Sequence, residues 1–540
     1  MTGPIKWNVG RGGGTLRFGC ARLLFVTWLT AMTGPARAQA PSPDPLRARV
    51  RAYRGEHDTS IVRELRDFVA IPNVASDTAN IRRNAEHLRA MMAARGIAAK
   101  ILDSPEGGSP AVYGELSTPG ATRTVVFYAH YDGQPVDATE WASAPWTPTL
   151  LDKPLEAGGR PVATPKTAGV MPGEWRLYGR SASDDKAPIV AMLTAIDALR
   201  AAGAKPSVNL KLFFEGEEEA GSGHLEPLLV RNANLLRADA WLFGDGPVHQ
   251  SRRQQVVFGV RGVTGAEITL YGPSHALHSG HYGNWAPNPV TMLANLIASM
   301  RNDDGRILIS HFYDDVAPIT PAERRALASI PSVDAAMRAE TQLGATEATN
   351  ASLVERIMLP ALNLRGIRGG AVGATASNAI PTEATASIDF RLVPRQTPEH
   401  VRRLVETHIR DRGYTVVQHT PSAEERLRHP RIAKVTWEAG YQPTRVAMDS
   451  PLSQAVLRAT SEAVGGPVVA LPTLGGSLPM YTFEKVLHTP LIVLPIVNHD
   501  NNQHAANENV RLQNVFDGID VYAGVLARLG TYWDRERIRP

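Results

Sequence analysis

A run of acidic residues that directly follows an apolar stretch is the feature that most restricts this chain. Residues 208–213 form a strand-like apolar run, and residues 215–219 then read Glu-Gly-Glu-Glu-Glu. Neighbouring carboxylates repel one another, and a strong positive centre would compensate this repulsion. A buried strand that delivers the acids to a sheet edge favours a metal site, in which one acid binds metal while its neighbour acts as a general base. A solvated acidic start of a helix is the alternative.

Further residues of metal-binding type follow other predicted strands or lie in Gly- and Ser-rich loops. Because loops at the carboxyl ends of strands carry the ligands in open α/β sheets, we expect these side chains to meet. Taken singly, each has an ordinary alternative, such as a surface turn or a helix cap. His499 and His504 compete for one role, and their spacing does not decide between them. The candidates are His130, Asp132, Asp184, Asp185, Asp245 and His504.

The order of predicted elements indicates an α/β chain that contains an inserted α+β domain. Alternating strands and helices in the first half predict a mostly parallel sheet with helices on both faces. A different pattern of elements begins near Gln255, where residues 256–260 and 266–270 resemble the strands of a hairpin. The alternation of strands and helices returns near Met448. The predicted organisation is a signal peptide at 1–38, a first catalytic segment at 39–255, the inserted domain with an antiparallel sheet at 256–445 and a second catalytic segment at 446–540.

Individual elements follow from the same patterns. Residues 150–176 are rich in Pro and Gly and predict an extended surface loop. The remaining predictions are helices at 46–70, 189–199, 398–411 and 451–464, and strands at 124–129, 209–214, 238–243, 384–390 and 491–494.

The first 38 residues have the pattern of a secretory signal peptide. Basic residues up to Arg22 precede an apolar run at 23–32, and Ala36 and Ala38 provide small residues for cleavage. The apolar run is too short to cross a bilayer, and no later run is apolar for long enough to do so. We therefore expect a periplasmic or secreted protein without a membrane span.

Composition excludes some classes of function. Removal of residues 1–38, which hold five basic and no acidic residues, changes the formal charge from +4 to −1. The basic isoelectric point therefore gives no indication of a nucleic-acid partner. The only cysteine, Cys20, lies in the same segment, so the metal ligands must be His, Asp and Glu.

The inserted region carries cationic side chains of its own. His275, His278 and Arg391 stand out, because a cation there could stabilise an oxyanion or bind a carboxylate. A surface histidine and an arginine at a strand end are the plain alternatives.

Taken together, these segments resemble the M20 metallopeptidase family, which comprises di-zinc dipeptidases, carboxypeptidases and aminoacylases. The similarity covers most of the chain after residue 38, and the motifs occur in the order of the family. The matching segments are His130-Tyr-Asp132, Gly179-Arg-Ser-Ala-Ser-Asp184-Asp185-Lys186, Glu215-Gly-Glu-Glu218-Glu219-Ala-Gly-Ser222, Gly475-Gly-Ser477 with Pro479, and His504 with Asn507-Glu508.

The resemblance implies two divalent metal ions in each chain, zinc with manganese or cobalt as alternatives. Asp184 would bridge both ions. His130 and Asp245 would complete the ligands of one ion, and Glu219 and His504 those of the other.

The remaining catalytic roles also come from the resemblance. Glu218 would be the general base, and Asp132 would orient His130. The bond between Asp184 and Asp185 would be cis. The role left open above falls to His504 rather than to His499.

For the inserted domain, the resemblance implies a lid that also forms a homodimer. His278 would reach the active site of the partner subunit. Asn378 and Arg391 would contact substrate from the lid, and Gly476 and Ser477 would form a substrate-binding loop.

The implied function is hydrolysis of the amide bond of dipeptides or short peptides by a water molecule activated between two metal ions. The implied fold is a zinc-peptidase-like catalytic domain with a lid and dimerisation domain. Deacylation of N-acyl amino acids is the alternative, since both reactions cleave an amide beside a carboxylate. Ser181 and Ala187 depart from the family pattern at the pocket rim and put substrate preference in question.

Overall fold

The structure is a computed structural model that describes residues 44–165, 169–348 and 351–538. The predicted signal peptide at 1–38 lies outside the described residues. Among the helices of the described residues, none is long and apolar enough to cross a membrane.

The described residues form fifteen α-helices. In chain order they are α1 Pro45–Val69, α2 Thr78–Ala94, α3 Lys186–Ala201, α4 Leu225–Arg231, α5 Ala233–Leu236, α6 Ser279–Tyr282, α7 Pro289–Met300, α8 Pro321–Ser329, α9 Asp334–Glu340, α10 Leu353–Ile357, α11 Pro398–Asp411, α12 Ala423–Arg428, α13 Pro451–Val464, α14 Met480–Leu487 and α15 Leu512–Ile538.

The same residues form twenty β-strands. In chain order they are β1 Ala99–Leu102, β2 Ala111–Leu116, β3 Thr124–His130, β4 Thr149–Leu151, β5 Arg176–Tyr178, β6 Asn209–Glu215, β7 Ala240–Phe243, β8 Gln255–Val257, β9 Gly259–Val260, β10 Gly262–Tyr271, β11 Leu277–His278, β12 Ala361–Arg368, β13 Ala379–Ile380, β14 Glu383–Leu392, β15 Thr415–Val417, β16 Ile432–Trp437, β17 Thr444–Arg445, β18 Val469–Leu471, β19 Leu491–Val493 and β20 Asn509–Arg511.

Helix ends follow local sequence signals. The predicted helices at 398–411 and 451–464 are confirmed as α11 and α13. The side chain of Thr397 accepts a hydrogen bond from the amide of His400, and Pro398 begins the helix. Ser450 caps α13 in the same way, and Gly465 ends it in the left-handed conformation that glycine adopts without steric cost.

An eight-stranded sheet forms the centre of the molecule in the order β1-β2-β6-β3-β7-β19-β8-β18. The neighbouring pairs that run parallel are β6–β3, β3–β7, β7–β19 and β8–β18. The pairs that run antiparallel are β1–β2, β2–β6 and β19–β8. The predicted, mostly parallel sheet is therefore confirmed.

Helices cover both faces of this sheet, as predicted. Successive residues of β3 alternate between the faces, so that Phe127 packs with α1, α3 and α15, while Tyr128 packs with α4 and α14. Because both faces are buried, the inner strands read as continuous apolar runs.

A five-stranded, mostly antiparallel sheet in the order β12-β14-β10-β16-β15 has its own apolar core with α7 and α11. The predicted hairpin between residues 256–260 and 266–270 is wrong. Strand β8 joins the central sheet because Val256 and Val257 are buried on its opposite faces, whereas β10 pairs with β14 and β16. The domain boundaries remain a prediction.

Residues 150–176 do not form only a surface loop. Strand β4 pairs with β5, which also pairs with β20, in a three-stranded sheet. Leu150 and Met171 are buried in the main apolar core.

Candidate metal centre and substrate cleft

Parallel strands bring the first ligand-type residues to one edge of the central sheet. His130 is the last residue of β3 and pairs in register with Glu215, the last residue of β6. Strand β7 ends beside them at Phe243, and Asp245 follows two residues later. The sheet register therefore places His130 and Asp245 side by side, as the sequence predicted.

Two groups of three ligand atoms meet at this edge. One group is His130, Asp184 and Asp245, and the other is Asp184, Glu219 and His504; within each, the ligand atoms lie within 4.8 Å of one another. Nε2 of His130 lies 2.9 Å from Oδ1 of Asp184, and Nε2 of His504 lies 3.1 Å from Oδ2 of the same residue. Asp184 belongs to both groups, so its position suits a ligand shared by two cations.

The loop that carries Asp184 has the cis peptide bond between Asp184 and Asp185 that was predicted. Asp185 is buried, and its Oδ2 atom accepts a hydrogen bond from the backbone amide of His130 over 3.4 Å. Lys186 follows at the start of α3, where its buried Nζ donates to the carbonyl oxygens of Phe68 and Ile71. These contacts fix the loop against both β3 and α1.

Glu508 holds the same loop from the opposite side, and its role was missed in the sequence. Its buried carboxylate accepts five hydrogen bonds, from Arg180 Nη1, the amides of Ser181, Ser183 and Asp184, and the Ser183 hydroxyl, at 2.8–2.9 Å. In the sequence, only the position of Glu508 in the same matched motif as His504 indicated that it belongs to the site. It connects the loop of His504 to the loop of Asp184.

Asp132 lies between His130 and the acidic run. One of its carboxylate oxygens lies 3.4 Å from Nδ1 of His130. The two oxygens also accept hydrogen bonds from the backbone amides of Glu218 and Glu219, at 3.1 and 3.0 Å. The predicted orienting role is compatible with this geometry, and Asp132 has a further function in fixing the acidic turn.

The acidic run does not begin a solvated helix. Residues Glu218–Ala220 form a single 3-10 turn directly after β6, and Glu218 lines a cleft that Asp184 and Asp245 also line. Burial raises the pKa of Glu218 well above its usual value, and the charges of Asp245 and Glu219 add to this effect against the opposing charge of His130.

The other acids of the site show the effect of crowded negative charge. Burial and the charge of Asp184 raise the pKa of Glu219 to about 8 and that of Asp245 to about 7. Hydrogen bonding to Asp184 raises the pKa of His504 to about 9. Burial lowers the pKa of His130, but its hydrogen bonds to Asp132 and Asp184 outweigh this effect and raise the pKa well above its usual value.

A divalent cation would relieve this crowding and reverse the direction of these shifts. The donors are imidazole nitrogens and carboxylate oxygens, which are ligands for zinc and for similar divalent ions. The residues present therefore fit a divalent metal centre.

The cleft beside these residues has a volume of about 440 Å³. Arg391, Gly476 and Ser477, which were predicted to bind substrate, line it together with the ligand-type residues. Nη1 of Arg391 donates to Oγ of Ser477 over 3.0 Å, and its Nε donates to Asp389 over the same distance. A cation and a hydroxyl thus line the same cleft as the ligand-type residues Asp184, Asp245 and His504.

Two of the predicted substrate residues lie elsewhere. His278 and Asn378 are exposed and are not among the described residues that line the cleft. They are neighbours, because the amide of Ser279 donates to the carbonyl of Asn378 and β11 pairs with β13. Within one chain the structure does not bring them to the metal centre.

Two glutamines complete the site and were also missed. Nε2 of Gln134 donates to Glu219 over 2.7 Å, and Nε2 of Gln503 donates to Asp184 over 2.7 Å. Only the position of Gln503 next to His504 gave a signal in the sequence. His499 belongs to neither group of ligand atoms.

Comparison with known proteins gives consistent results. Residues 126–528 match the family model for peptidase family M20/M25/M40. The chain is 29% identical over 428 residues to the Cys-Gly metallodipeptidase of Schizosaccharomyces pombe, which covers 78% of this chain and 83% of that protein. It is 26% identical over 519 residues to the Beta-Ala-His dipeptidase of Homo sapiens, covering 90% and 93%.

A solved structure agrees with these matches. The M20 family metallo-carboxypeptidase Sso-CP2 from Sulfolobus solfataricus superimposes with a TM-score of 0.71 and 27% sequence identity. The superposition covers 87% of this chain and 99% of that one. The mixed α/β fold with its separate antiparallel sheet is thus the fold of a solved M20 enzyme.

The predicted periplasmic or secreted location is wrong. It rested on the composition of residues 1–38, which lie outside the described residues. The similar proteins include Cys-Gly metallodipeptidases of three fungi, and these relatives contradict assignment to an exported class of enzyme.

Proposed function

Because the chain belongs to the peptidase family M20/M25/M40 and is a metal-dependent peptidase, we propose that it is a dipeptidase that uses two zinc ions. One observation carries the proposal. Two groups of ligand atoms share Asp184, and three of their members, Asp184, Asp245 and His504, line the same cleft as Glu218 and Arg391. Relatives named as dipeptidases support the choice of substrate class.

The ligand groups define which residues would hold the ions. His130 and Asp245 would serve one ion, Glu219 and His504 the other, and Asp184 both. When bound, such ions polarise a carbonyl group and lower the pKa of water. Manganese and cobalt bind to the same donor atoms. Metal analysis of the purified protein therefore distinguishes zinc from these ions.

Glu218 would move the proton during the reaction. Its carboxylate lies in the cleft, where it would accept a proton from the attacking water and deliver it to the leaving amine. Asp132 fixes the backbone of this residue through the amides of Glu218 and Glu219. The base is therefore held on a short turn whose backbone is fixed by Asp132.

Arg391 and Ser477 would bind the free carboxylate of the substrate. Their side chains are hydrogen-bonded to each other and line the same cleft as Glu218. A guanidinium group recognises a carboxylate through charge and paired donors. A site for a free C-terminal carboxylate in the same cleft as the metal ligands favours short substrates over long chains.

A homodimer would complete the site. His278 and Asn378 are exposed on the lid, and Trp285 nearby has 77% of its surface exposed. Edge strand β12 exposes the apolar side chains of Leu364 and Ile367, which is unusual for an unprotected sheet edge. We propose that a second copy covers this lid and receives His278 in its own cleft, where the imidazole would stabilise the oxyanion.

The proposal is tested with purified protein reconstituted with zinc. A panel of dipeptides is compared with N-acyl amino acids of the same C-terminal residue, with and without a chelator. Release of free amino acids from dipeptides, lost on chelation and restored by zinc, is expected. Cleavage of the N-acyl compounds alone would instead establish the deacylase, and activity that persists in chelator would exclude a metal-dependent reaction.

A further inference from the structure

The carboxamide of Gln503 is bound to a metal ligand through its nitrogen, whereas its oxygen is free. Nε2 donates a hydrogen bond to Oδ2 of Asp184 over 2.7 Å. Because an ionised carboxylate can only accept hydrogen bonds, the nitrogen and not Oε1 must face Asp184. Oε1 has no hydrogen-bond partner among the described residues, and Gln503 lines the cleft. The cleft therefore contains an acceptor that is still unused.

The loop that carries Gln503 is held by hydrogen bonds on both sides of this residue. The backbone amide of Gln503 donates to Oδ1 of Asn501 over 3.0 Å, and the amide of Asn509 donates to the carbonyl of Asn501 over 2.8 Å. On the other side, Nη2 of Arg180 donates to the carbonyl of Ala505 over 3.2 Å. These bonds fix the backbone, so the loop presents the carboxamide to the cleft from a defined position.

The other acceptor side chains of the cleft already have roles. The described side chains that line the cleft and carry an acceptor atom are Asp184, Glu218, Asp245, Ser477, Gln503 and His504. Three of them belong to the groups of metal ligands, and Glu218 is the proposed base. Ser477 accepts a hydrogen bond from Arg391 in the proposed carboxylate site. Among these side chains, Oε1 of Gln503 is therefore the acceptor left for another group of the substrate.

Covalent geometry brings the free amine of a dipeptide close to this oxygen. In the proposed reaction the scissile carbonyl group lies at the metal centre, and the α-amine is bonded to the same Cα atom as that carbonyl. The amine nitrogen and the carbonyl carbon are therefore only about 2.5 Å apart. The amine must lie near side chains that contact the metal ligands, and the bond of Gln503 to Asp184 places its carboxamide among these. An ammonium group donates hydrogen bonds and accepts none, which matches the free Oε1.

We propose that Gln503 is a substrate-binding residue whose Oε1 accepts a hydrogen bond from the α-ammonium group of a dipeptide. The inference rests on the proposed function, because it assigns the second charged end of that substrate. Arg391 and Ser477 would bind the carboxylate and Gln503 the amine, all in one cleft. A longer peptide has a peptide bond in place of at least one of these charged groups, and an N-acyl amino acid has no amine. The contact would therefore distinguish dipeptides from both.

Binding to an inactive enzyme tests the inference. Ala-Ala is compared with propionyl-alanine, which has the same shape but no amine, on zinc-loaded Glu218→Gln protein by isothermal titration calorimetry. We expect Ala-Ala to bind about tenfold more tightly, because a hydrogen bond to a charged group contributes about this factor. Adding Gln503→Met should abolish this preference by weakening the binding of Ala-Ala alone.

Two further variants separate the acceptor from the contact with Asp184. Gln503→Glu loses the donor to Asp184 but keeps an acceptor, so the preference for Ala-Ala should remain. Gln134→Met is the matched control, because Nε2 of Gln134 donates to Glu219 over 2.7 Å but Gln134 is not among the described residues that line the cleft. This variant should also keep the preference. Elemental analysis accompanies each titration and should find the zinc content of the parent protein.

Several results would overturn the inference. They are an unchanged preference in Gln503→Met, an equal loss of affinity for both ligands, and a preference that is lost in Gln503→Glu as well. Loss of zinc from both Gln503 variants would also overturn it, because the residue would then act by holding Asp184. Turnover by the wild type is measured separately. A wild type that cleaves propionyl-alanine and not Ala-Ala would refute the proposed dipeptidase, whereas the binding ratios decide the role of Gln503 in either case.

Discussion

Nε2 of His504 lies 3.1 Å from Oδ2 of Asp184, although 320 positions separate the two residues in the chain. The other oxygen of the same carboxylate faces His130 at 2.9 Å. One aspartate thus faces two histidines that come from opposite ends of the catalytic region. This arrangement predicts that loss of Asp184 affects two cations and loss of either histidine only one.

Metal content should follow that rule. We expect Asp184→Ala to bind neither ion and His504→Ala to keep one, because only the aspartate belongs to both groups of ligand atoms. Elemental analysis of protein that is saturated with zinc and then dialysed to remove unbound ion measures the stoichiometry. His499→Ala is the control and should keep two ions. Two ions per chain in Asp184→Ala would disprove the shared ligand.

The Glu218→Gln variant should retain its metal and lose turnover. The amide keeps the shape of the side chain but cannot accept a proton, so we expect kcat to fall by about a thousandfold or more. Glu217→Gln is the matched control, because Glu217 turns away to bind His224 and the amide of Ser109. Elemental analysis accompanies the kinetics. Substantial turnover by Glu218→Gln would place the base elsewhere.

Glu508→Ala should destabilise the protein. The substitution leaves the buried guanidinium of Arg180 and three backbone amides without their acceptor, a loss of about 3–5 kcal/mol in the free energy of unfolding. Denaturant unfolding measures this loss. For comparison, Glu226→Ala removes an exposed ion pair with Lys485 and should cost under about 1 kcal/mol. Similar values for both variants would show that Glu508 is not a structural anchor.

The stability of the metal-free protein should fall as pH rises from about 5 to 9. Glu219 and Asp245 have folded pKa values of about 8 and about 7, above those of unfolded carboxyl groups, and His504 has one of about 9. For each, the folded state binds more protons than the unfolded state in this window, so the free energy of unfolding decreases as pH rises. Thermal melts in a chelator measure the slope.

Two controls accompany those melts. Glu219→Gln removes the carboxylate with the folded pKa of about 8 and should flatten the slope. Saturating zinc should flatten it as well, because the cation stabilises the ionised carboxylates. A melting temperature that is independent of pH in the metal-free protein would contradict the charge crowding inferred for the site.

Mixed dimers test whether the lid histidine serves the partner subunit. Glu218→Gln and His278→Ala should each be nearly inactive alone. After unfolding and refolding of an equal mixture, half of the dimers are mixed and each holds one intact site, so about a quarter of wild-type activity should return. No recovery, in mixtures shown by native mass spectrometry to contain mixed dimers, would place His278 outside the partner's site.

Much of the architecture could be predicted from local patterns. Pro398 and Pro451, each preceded by a capping Thr or Ser, mark the starts of α11 and α13, because capping and the fixed φ of proline act within one turn. The continuous apolar run of β3 indicated a strand buried on both faces. The local pattern around residue 256 could not show which sheet a short apolar strand joins, because strand pairing is a long-range contact.

By itself, the sequence determined which residue types are available for metal chemistry and which segments form β3, β6 and α3, since these depend on neighbours in the chain. Only the tertiary structure decided that Asp132 holds the turn of Glu218 and that Glu508 anchors the loop of Asp184. The physical reason is that a buried carboxylate must find donors wherever the fold supplies them, and backbone amides leave no mark in the sequence.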